Sequence, residues 1–273
     1  MRTRASVAVV TGAFALSALA VPAAQAADKP DSAAAARAAL AAPDVTYGDT
    51  KISNVVVNGG KPIVVGISDK TFSVTFTASD NSGIAGADAN LWHGSNFDDP
   101  DGWISSDGVN GASCGSGTKP TCKVNFTVMP WLDLDTSALR TKWKVSADAD
   151  GKDGDFTYRD NVKTFDFTHA AKLTVNASPE PVKKGKTITA TGTLTRVNWA
   201  AEKYSGYGDQ SVKLQFKKKG AKTWSTLKTI KSDKKGNLKT TVKASADGSF
   251  RYSYAGNSST QSLNSGEDYV DVR

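Results

Sequence analysis

Apolar and polar residues alternate along much of the first half of the chain. Between residues 72 and 78, Phe, Val, Phe and Ala occupy every second position, and Ser or Thr occupies the positions between them. A period of two places the apolar side chains on one face of a β-strand. The pattern recurs at 124–128 and 143–147, and shorter strands are predicted at 52–57, 62–67 and 163–167.

The second half alternates more regularly. Turn sequences such as Lys234-Lys235-Gly236-Asn237 separate its apolar runs. About seven strands in roughly 100 residues are typical of a β-sandwich. No 3.6-residue amphipathic pattern stands out after residue 26, which argues against an α/β enzyme fold. The predicted strands cover residues 173–177, 188–194, 212–216, 224–230, 240–244, 250–254 and 269–272.

The N-terminus has the pattern of a secretory signal peptide. Arg2 and Arg4 precede the apolar stretch 7–21, and Ala24-Gln25-Ala26 is a small-residue cleavage site. We therefore predict removal of residues 1–26 and a secreted protein, either extracellular or loosely associated with the cell envelope. Residues 27–43 are read as a flexible, alanine-rich extension. No later apolar run has the about 18 residues of a transmembrane helix, so no membrane span is expected.

Charge divides the remaining chain into two parts. An acidic domain is predicted at 44–170 and a basic domain at 171–273. Residues 44–171 contain 11 Lys and Arg against 17 Asp and Glu, whereas 172–273 contain 19 against 8. A basic domain can attract anionic polymers, so a cell-wall polymer, a glycan or a protein is a candidate partner. The alternative is that the lysines only solvate the outer faces of strands, which explains the same charge. The predicted basic face comprises Lys217, Lys218, Lys219, Lys222, Lys234 and Lys235.

Cys114 and Cys122 are the only cysteines. In an exported chain, one nearby pair joined by a flexible Gly- and Ser-rich loop predicts a disulfide. A zinc site would need further ligands, and no histidine lies beside either cysteine.

The last hundred residues resemble the bacterial immunoglobulin-like domains of secreted and surface proteins, especially those of actinobacteria. The resemblance lies in the segments that begin at Val212, Trp224, Ser232, Gly248 and Asp268. The first domain resembles such modules through its turns Asp80-Asn-Ser-Gly83 and Ala147-Asp-Ala-Asp-Gly151. The resemblance implies two tandem immunoglobulin-like β-sandwiches, all-β in class, of a kind used as spacers, adhesive modules or accessory binding units.

Carboxylates concentrate in two places, at 98–101 and at 148–160. Calcium requires several oxygen ligands at one point. The second cluster begins like an EF-hand loop but has Lys152 at the fifth position and Arg159 at the twelfth. Calcium in a different geometry and solvated turns both remain open, and no other cofactor is expected. The calcium hypothesis names Asp148, Asp150, Asp153, Asp155 and Asp160.

Tryptophans offer a second candidate binding surface. Trp92, Trp103 and Trp131 surround the acidic loop and the cysteine pair, where exposed indoles can stack on sugar rings; packing is the alternative role. Trp143 and Trp224 lie in predicted strands and are assigned to packing.

Catalytic chemistry has little support in the sequence. His93 and His169 are the only histidines, and neither lies near a Gly-x-Ser-x-Gly motif. The prediction is a non-catalytic binding or spacer protein with no specific nucleic-acid ligand. A glycan-binding accessory protein, a calcium-binding extracellular protein and a secreted hydrolase that uses His93 are the alternatives.

Overall fold

The computed structural model describes residues 44–108 and 111–273. The predicted signal peptide and alanine-rich extension lie outside the described residues. No helix in this part of the chain is long and apolar enough to cross a membrane.

Residues 44–169 form the first sandwich. One sheet has the order β1-β10-β9-β5-β6 and the other β2-β4-β8-β7, while β3 pairs in parallel with β11. In the described part of this sandwich, one helical turn, α1 (Pro130–Asp133), and two short 3-10 turns, Asn58–Gly60 and Ala138–Arg140, join the strands. The strands are β1 (Asp44–Tyr47), β2 (Lys51–Val57), β3 (Ile63–Val65), β4 (Lys70–Ser79), β5 (Ile84–His93), β6 (Gly102–Ile104), β7 (Ser113–Cys114), β8 (Thr121–Val128), β9 (Trp143–Gly151), β10 (Phe156–Phe165) and β11 (Phe167–His169).

The core of this sandwich lies between its two sheets. Phe76 of β4, Phe126 of β8, Leu91 of β5 and Trp143 of β9 are all buried in one apolar cluster. Each comes from the apolar positions of an alternating strand, which explains why the sheets pack face to face. The sequence pattern did not predict β5, because the buried positions Ala87 and Ala89 are small and contribute little to a hydrophobic signal.

The second sandwich follows after one residue. In one sheet β14 pairs with β12 and β13 on one side and with β18 on the other, and the C-terminal end of β14 also pairs with β15. The other sheet has the order β17-β16-β19-β20, and β21 also pairs with β19. Its strands are β12 (Ala171–Leu173), β13 (Asn176–Ser178), β14 (Thr187–Asn198), β15 (Lys203–Gly206), β16 (Ser211–Lys218), β17 (Ser225–Lys231), β18 (Asn237–Lys243), β19 (Gly248–Tyr254), β20 (Leu263–Asn264) and β21 (Asp268–Val270).

Both sandwiches have immunoglobulin-like topology. In the first, the two sheet orders correspond to the ABED and GFC sheets of that fold, with one added strand at each edge of the GFC sheet. The core of the second lies between Ile188 and Leu194 on one sheet and Leu214 and Tyr252 on the other. The Tyr252 hydroxyl donates to the Ala190 carbonyl at 3.0 Å, which links the two sheets through the core. The all-β, immunoglobulin-like fold class predicted from the sequence is confirmed.

Candidate functional site

The predicted disulfide is present. Cys114 on β7 lies opposite Cys122 on β8, and their sulfurs are bonded. Cys122 is fully buried, so the bond fastens the short edge strand β7 to the core of the first sandwich.

The three predicted ligand-binding tryptophans have different environments. Trp92 is buried, its indole N–H donates to the Asp160 carbonyl at 2.7 Å, and the Lys144 ammonium lies over its ring. It therefore serves in packing and has no face for a sugar. Trp103 on β6 and Trp131 in α1 are 42% and 49% exposed. Phe97 packs between Trp92 and Trp103, with its ring centre 5.3 Å from that of Trp92 and 5.5 Å from that of Trp103.

The five predicted calcium ligands do not converge. Among the described residues, the acidic group with ligand atoms closest together is Asp49, Asp80 and Asp155, whose oxygens lie within 4.8 Å of one another. Of the five, only Asp155 belongs to it. The sequence did not indicate Asp49 and Asp80, because they lie far from Asp155 in the chain and approach it only when β10, β4 and β2 assemble.

The carboxylates of Asp80 and Asp155 already accept hydrogen bonds from neighbouring residues. Asp80 is buried and accepts from the Thr50 hydroxyl and from the Ser82 amide and hydroxyl. Burial raises the pKa of Asp80, but the hydrogen bonds from Ser82 and Thr50 outweigh it and leave the pKa below its ordinary value. The Asp49 amide donates to Asp155 at 3.0 Å. These carboxylates can ligate a cation, and they also hold two turns together.

Asp148 has a different role from the one predicted. It lies directly opposite Asp88 on the neighbouring strand β5. Burial, together with the charges of Asp88 and Asp150, raises the pKa of Asp148 to about 7. Burial also raises the pKa of Asp88. Like charges facing each other across two strands are destabilising, so this pair favours holding a proton near neutral pH.

Asp153 and Asp160 each take part in a hydrogen bond between a backbone amide and a carboxylate. The Asp153 carboxylate accepts from the Asp155 amide at 3.1 Å within the turn between β9 and β10. The Asp160 amide donates to the Asp44 carboxylate at 2.9 Å.

His93 contacts the Asp101 carboxylate through Nδ1, and its ring lies beside Trp143. A hydrolytic triad would need a serine hydroxyl on the other nitrogen. Within 44–108 and 111–273, no serine hydrogen-bonds to His93. The His93 side chain is largely buried beside the packed indole of Trp143, whereas the Asp101 carboxylate is exposed.

The six predicted lysines lie at two ends of the second sandwich. Lys217, Lys218, Lys219 and Lys222 are at or beyond the end of β16, where Lys218 pairs with Gly248. Lys234 and Lys235 are in the turn between β17 and β18, beyond the opposite end of β16. At about 3.3 Å per residue, the eight residues of β16 separate the groups by more than 20 Å. These lysines alone do not form a continuous face.

Trp224 lies on the outer face of this sandwich instead of in its core. Its ring is half-buried beneath two cations, with the Arg251 guanidinium 4.2 Å and the Lys217 ammonium 4.8 Å from the ring centre. Lys217 also pairs with Glu267 at 2.8 Å.

The contacts at the junction between the sandwiches were not predicted from the sequence. Strand β11 ends at His169 and β12 begins at Ala171, so Ala170 alone joins them. The Ala170 amide donates to Val65 of the first sandwich at 3.0 Å, and its carbonyl accepts from Val197 of the second at 2.9 Å. The linking residue is therefore bonded to both sides.

Trp199 crosses this junction. It follows β14 of the second sandwich, yet it is 3% exposed and packs in the apolar cluster of the first. Its indole N–H donates to the Val65 carbonyl at 3.2 Å. The His169 imidazole stacks on it with ring centres 3.9 Å apart. The hairpin of β14 and β15 thus inserts an aromatic side chain of one sandwich into the core of the other.

One signal in the sequence marks this insertion. Along β14 the buried residues Ile188, Ala190 and Leu194 have even numbers. The next buried residues, Val197 in the strand and Trp199 just beyond it, have odd numbers. The parity changes from even to odd after Leu194. A strand that serves one core keeps its parity, so the change shows where the segment leaves its own core.

Comparisons with known proteins give structural similarity alone. No protein-family model and no curated protein matches the sequence. Among solved structures, the D00-D0 domain of intimin is 17% identical, with 81% of this chain and 99% of that chain covered and a TM-score of 0.28. The titin domains Z1Z2 in complex with telethonin are 13% identical, with 84% and 98% covered and a TM-score of 0.23. A putative superoxide reductase from Thermotoga maritima is 15% identical, with 39% and 87% covered and a TM-score of 0.29. Similarity at these scores carries no argument about function.

Proposed function

We propose that this protein is an exported, non-catalytic spacer in which two immunoglobulin-like sandwiches form one stiff arm that presents a binding surface to a partner outside the cytoplasm. The observation that carries the proposal is the junction. Domains joined by an unbonded linker move relative to each other, whereas an apolar interface restrains them. Here the linker is one residue with both backbone groups bonded, and Trp199 fills the neighbouring core.

The residues flanking the linker extend this restraint. The His169 amide donates to Ser259 at 2.9 Å, and the His169 carbonyl accepts from Gln261 at 3.1 Å. The Lys172 ammonium lies 4.1 Å from the ring centre of Tyr204, which packs against the core of the first sandwich. Bending at Ala170 would break several of these contacts together. Export is supported by the predicted signal peptide and by the disulfide, which persists in oxidising compartments.

Distance measurements between the sandwiches test the proposal. Spin labels at Lys163→Cys and Lys239→Cys replace two exposed side chains, one in each sandwich. We expect a narrow distance distribution in the otherwise unchanged protein and a broad one after Trp199→Ala. Trp224→Ala is the matched control, because it removes a tryptophan of the same sandwich that lies away from the junction, and it should leave the distribution narrow. A broad distribution before any tryptophan is removed would contradict a stiff arm.

A further inference from the structure

The second sandwich is open along one side, between the edges of its two sheets. Strand β17 ends one sheet and β18 ends the other. Among residues 44–108 and 111–273, β17 pairs only with β16, and β18 pairs only with β14. The two edge strands leave a tight turn in which Asp233 accepts from the Lys235 and Asn237 amides. They diverge from that turn because they belong to different sheets.

A groove of about 430 Å³ lies where they have separated. Its floor is apolar: Phe216 and Phe250, with ring centres 4.9 Å apart, together with Leu227 and Val242. Leu227 is 42% exposed. The groove therefore leaves part of this apolar floor open to solvent between two unpaired strand edges.

The rim of this groove is cationic. Lys228 and Lys243 line it, and no carboxylate is among its described lining residues. Asp247 is the nearest acidic residue along the chain, and it pairs instead with Lys219 at 3.7 Å and accepts from the Val272 amide. The groove thus combines apolar area with two positive charges that no lining carboxylate balances.

The backbone at the rim is also available for pairing. The Lys228 ammonium donates to the Thr241 carbonyl at 2.6 Å, so this carbonyl faces away from β14. Because backbone groups alternate between the two edges of a strand, those of Lys239 and Lys243 face the same way as those of Thr241. A lysine that covers an edge carbonyl is a common protection against unwanted strand pairing. It is also a contact that an incoming N–H group can replace.

We propose that this groove, between β17 and β18, binds an extended acidic peptide segment of a partner protein, which adds as a strand to the free edge of β18. An apolar side chain of the segment lies over Phe216 and Val242, and its flanking carboxylates pair with Lys228 and Lys243. Strand addition draws affinity from main-chain hydrogen bonds and specificity from alternate side chains. The choice of a peptide as partner rests on the proposed binding role of the protein. The groove and the junction are separate features, so the peptide proposal can be wrong while the stiff-arm proposal holds, and the reverse.

The test uses the full mature protein and a fluorescent synthetic peptide of sequence Ser-Asp-Val-Asp-Phe-Asp-Ser, with binding followed by anisotropy. Two double variants with reversed charges are compared. One carries Lys228→Glu and Lys243→Glu, and the other carries Lys234→Glu and Lys235→Glu. Both change the net charge equally, but only the first pair lines the groove. We expect the first to weaken binding at least about tenfold more than the second, because charge-assisted hydrogen bonds are lost. A third variant, Thr241→Pro, removes an edge N–H without touching a bond to β14, and it should also abolish binding.

Control peptides decide whether strand and apolar recognition are both needed. Replacing Val and Phe by Ser, or Asp by Lys, should remove binding. Equal weakening by the two charge-reversed proteins, or undiminished binding of the Ser-substituted peptide, would overturn the proposal in favour of simple charge attraction. Failure of the unaltered peptide to bind would also overturn it. Thermal melts of each variant confirm that a loss of binding is not a loss of folding, and the spin-label distances report on the junction separately.

Discussion

The imidazole of His169 stacks on the indole of Trp199, with ring centres 3.9 Å apart. One residue ends the first sandwich and the other belongs to the second, so the stack closes the junction from both sides. Burial, together with the charges of Arg196 and Arg140, lowers the pKa of His169 to about 4. The Nδ1 atom of His169 has no hydrogen-bond partner among the described residues. The histidine is therefore neutral when the junction is formed.

Acid should weaken the folded protein through His169. Between pH 6.5 and about 4 the unfolded chain holds a proton on this residue and the folded chain does not, so stability falls as the pH falls through this window. We expect His169→Phe, which keeps an aromatic ring but cannot titrate, to show a smaller drop in melting temperature between pH 7 and pH 4.5. Trp224→Phe changes an aromatic ring away from the junction and removes no titratable group, so it is the control and should show the same drop as the unaltered protein. An equal drop in the His169→Phe protein would contradict the assignment.

Trp199→Ala should be one of the most destabilising single substitutions. It empties a buried indole site at the junction, and truncating a buried tryptophan costs about 3–5 kcal/mol. Denaturant unfolding measures the loss. Trp224→Ala should cost much less, because that ring is half-buried on an outer face. Comparable losses in the two variants would show that Trp199 does not pack as described.

Asp148→Asn should stabilise the protein in alkaline solution. The folded pKa of Asp148 is about 7, above its ordinary 3.8. Between these values the folded chain holds a proton on Asp148 that the unfolded chain has released, so the free energy of unfolding falls as the pH rises to about 7 and stays lowered above it. An amide cannot ionise opposite Asp88. We expect a gain on the order of 2–3 kcal/mol at pH 8.5 and little change at pH 4. Asp153→Asn, in the exposed turn, is the control, and a gain independent of pH would contradict the cause.

Loss of the disulfide should destabilise the first sandwich. The bond closes a loop with a sequence separation of 8 between Cys114 and Cys122. The chain-entropy model gives about 2–3 kcal/mol for so short a loop. Unfolding of the Cys114→Ala, Cys122→Ala protein measures the cost, and mass analysis before and after reduction and alkylation checks the bond itself. Two free thiols in exported protein would contradict it.

Calcium binding stays a prediction, and the structure changes where it should act. If calcium raises the melting temperature, the effect should depend on Asp155, which lies with Asp49 and Asp80, and not on Asp148, which faces Asp88. Melts in millimolar calcium and in chelator compare Asp155→Asn with Asp148→Asn. A calcium effect that Asp148→Asn abolishes and Asp155→Asn retains would contradict this placement.

Much of the local structure could be predicted from the sequence. The alternating runs around Phe76, Phe126 and Leu214 predicted strands, and two such sets predicted the all-β class. The cysteine spacing predicted the bond between Cys114 and Cys122. These features depend on side-chain period and on neighbours in the chain, so a single sequence contains the information.

The tertiary structure decided which candidate side chains meet. Trp92 is buried beneath Lys144, and Asp155 joins Asp49 and Asp80 instead of the carboxylates nearest to it in sequence. Trp199 lies in the core of the other sandwich, although the change of parity after Leu194 hinted that it leaves its own. Each contact joins strands distant in the chain. Their register and the packing of one sandwich on the other determine such contacts, and a period of two within a strand does not.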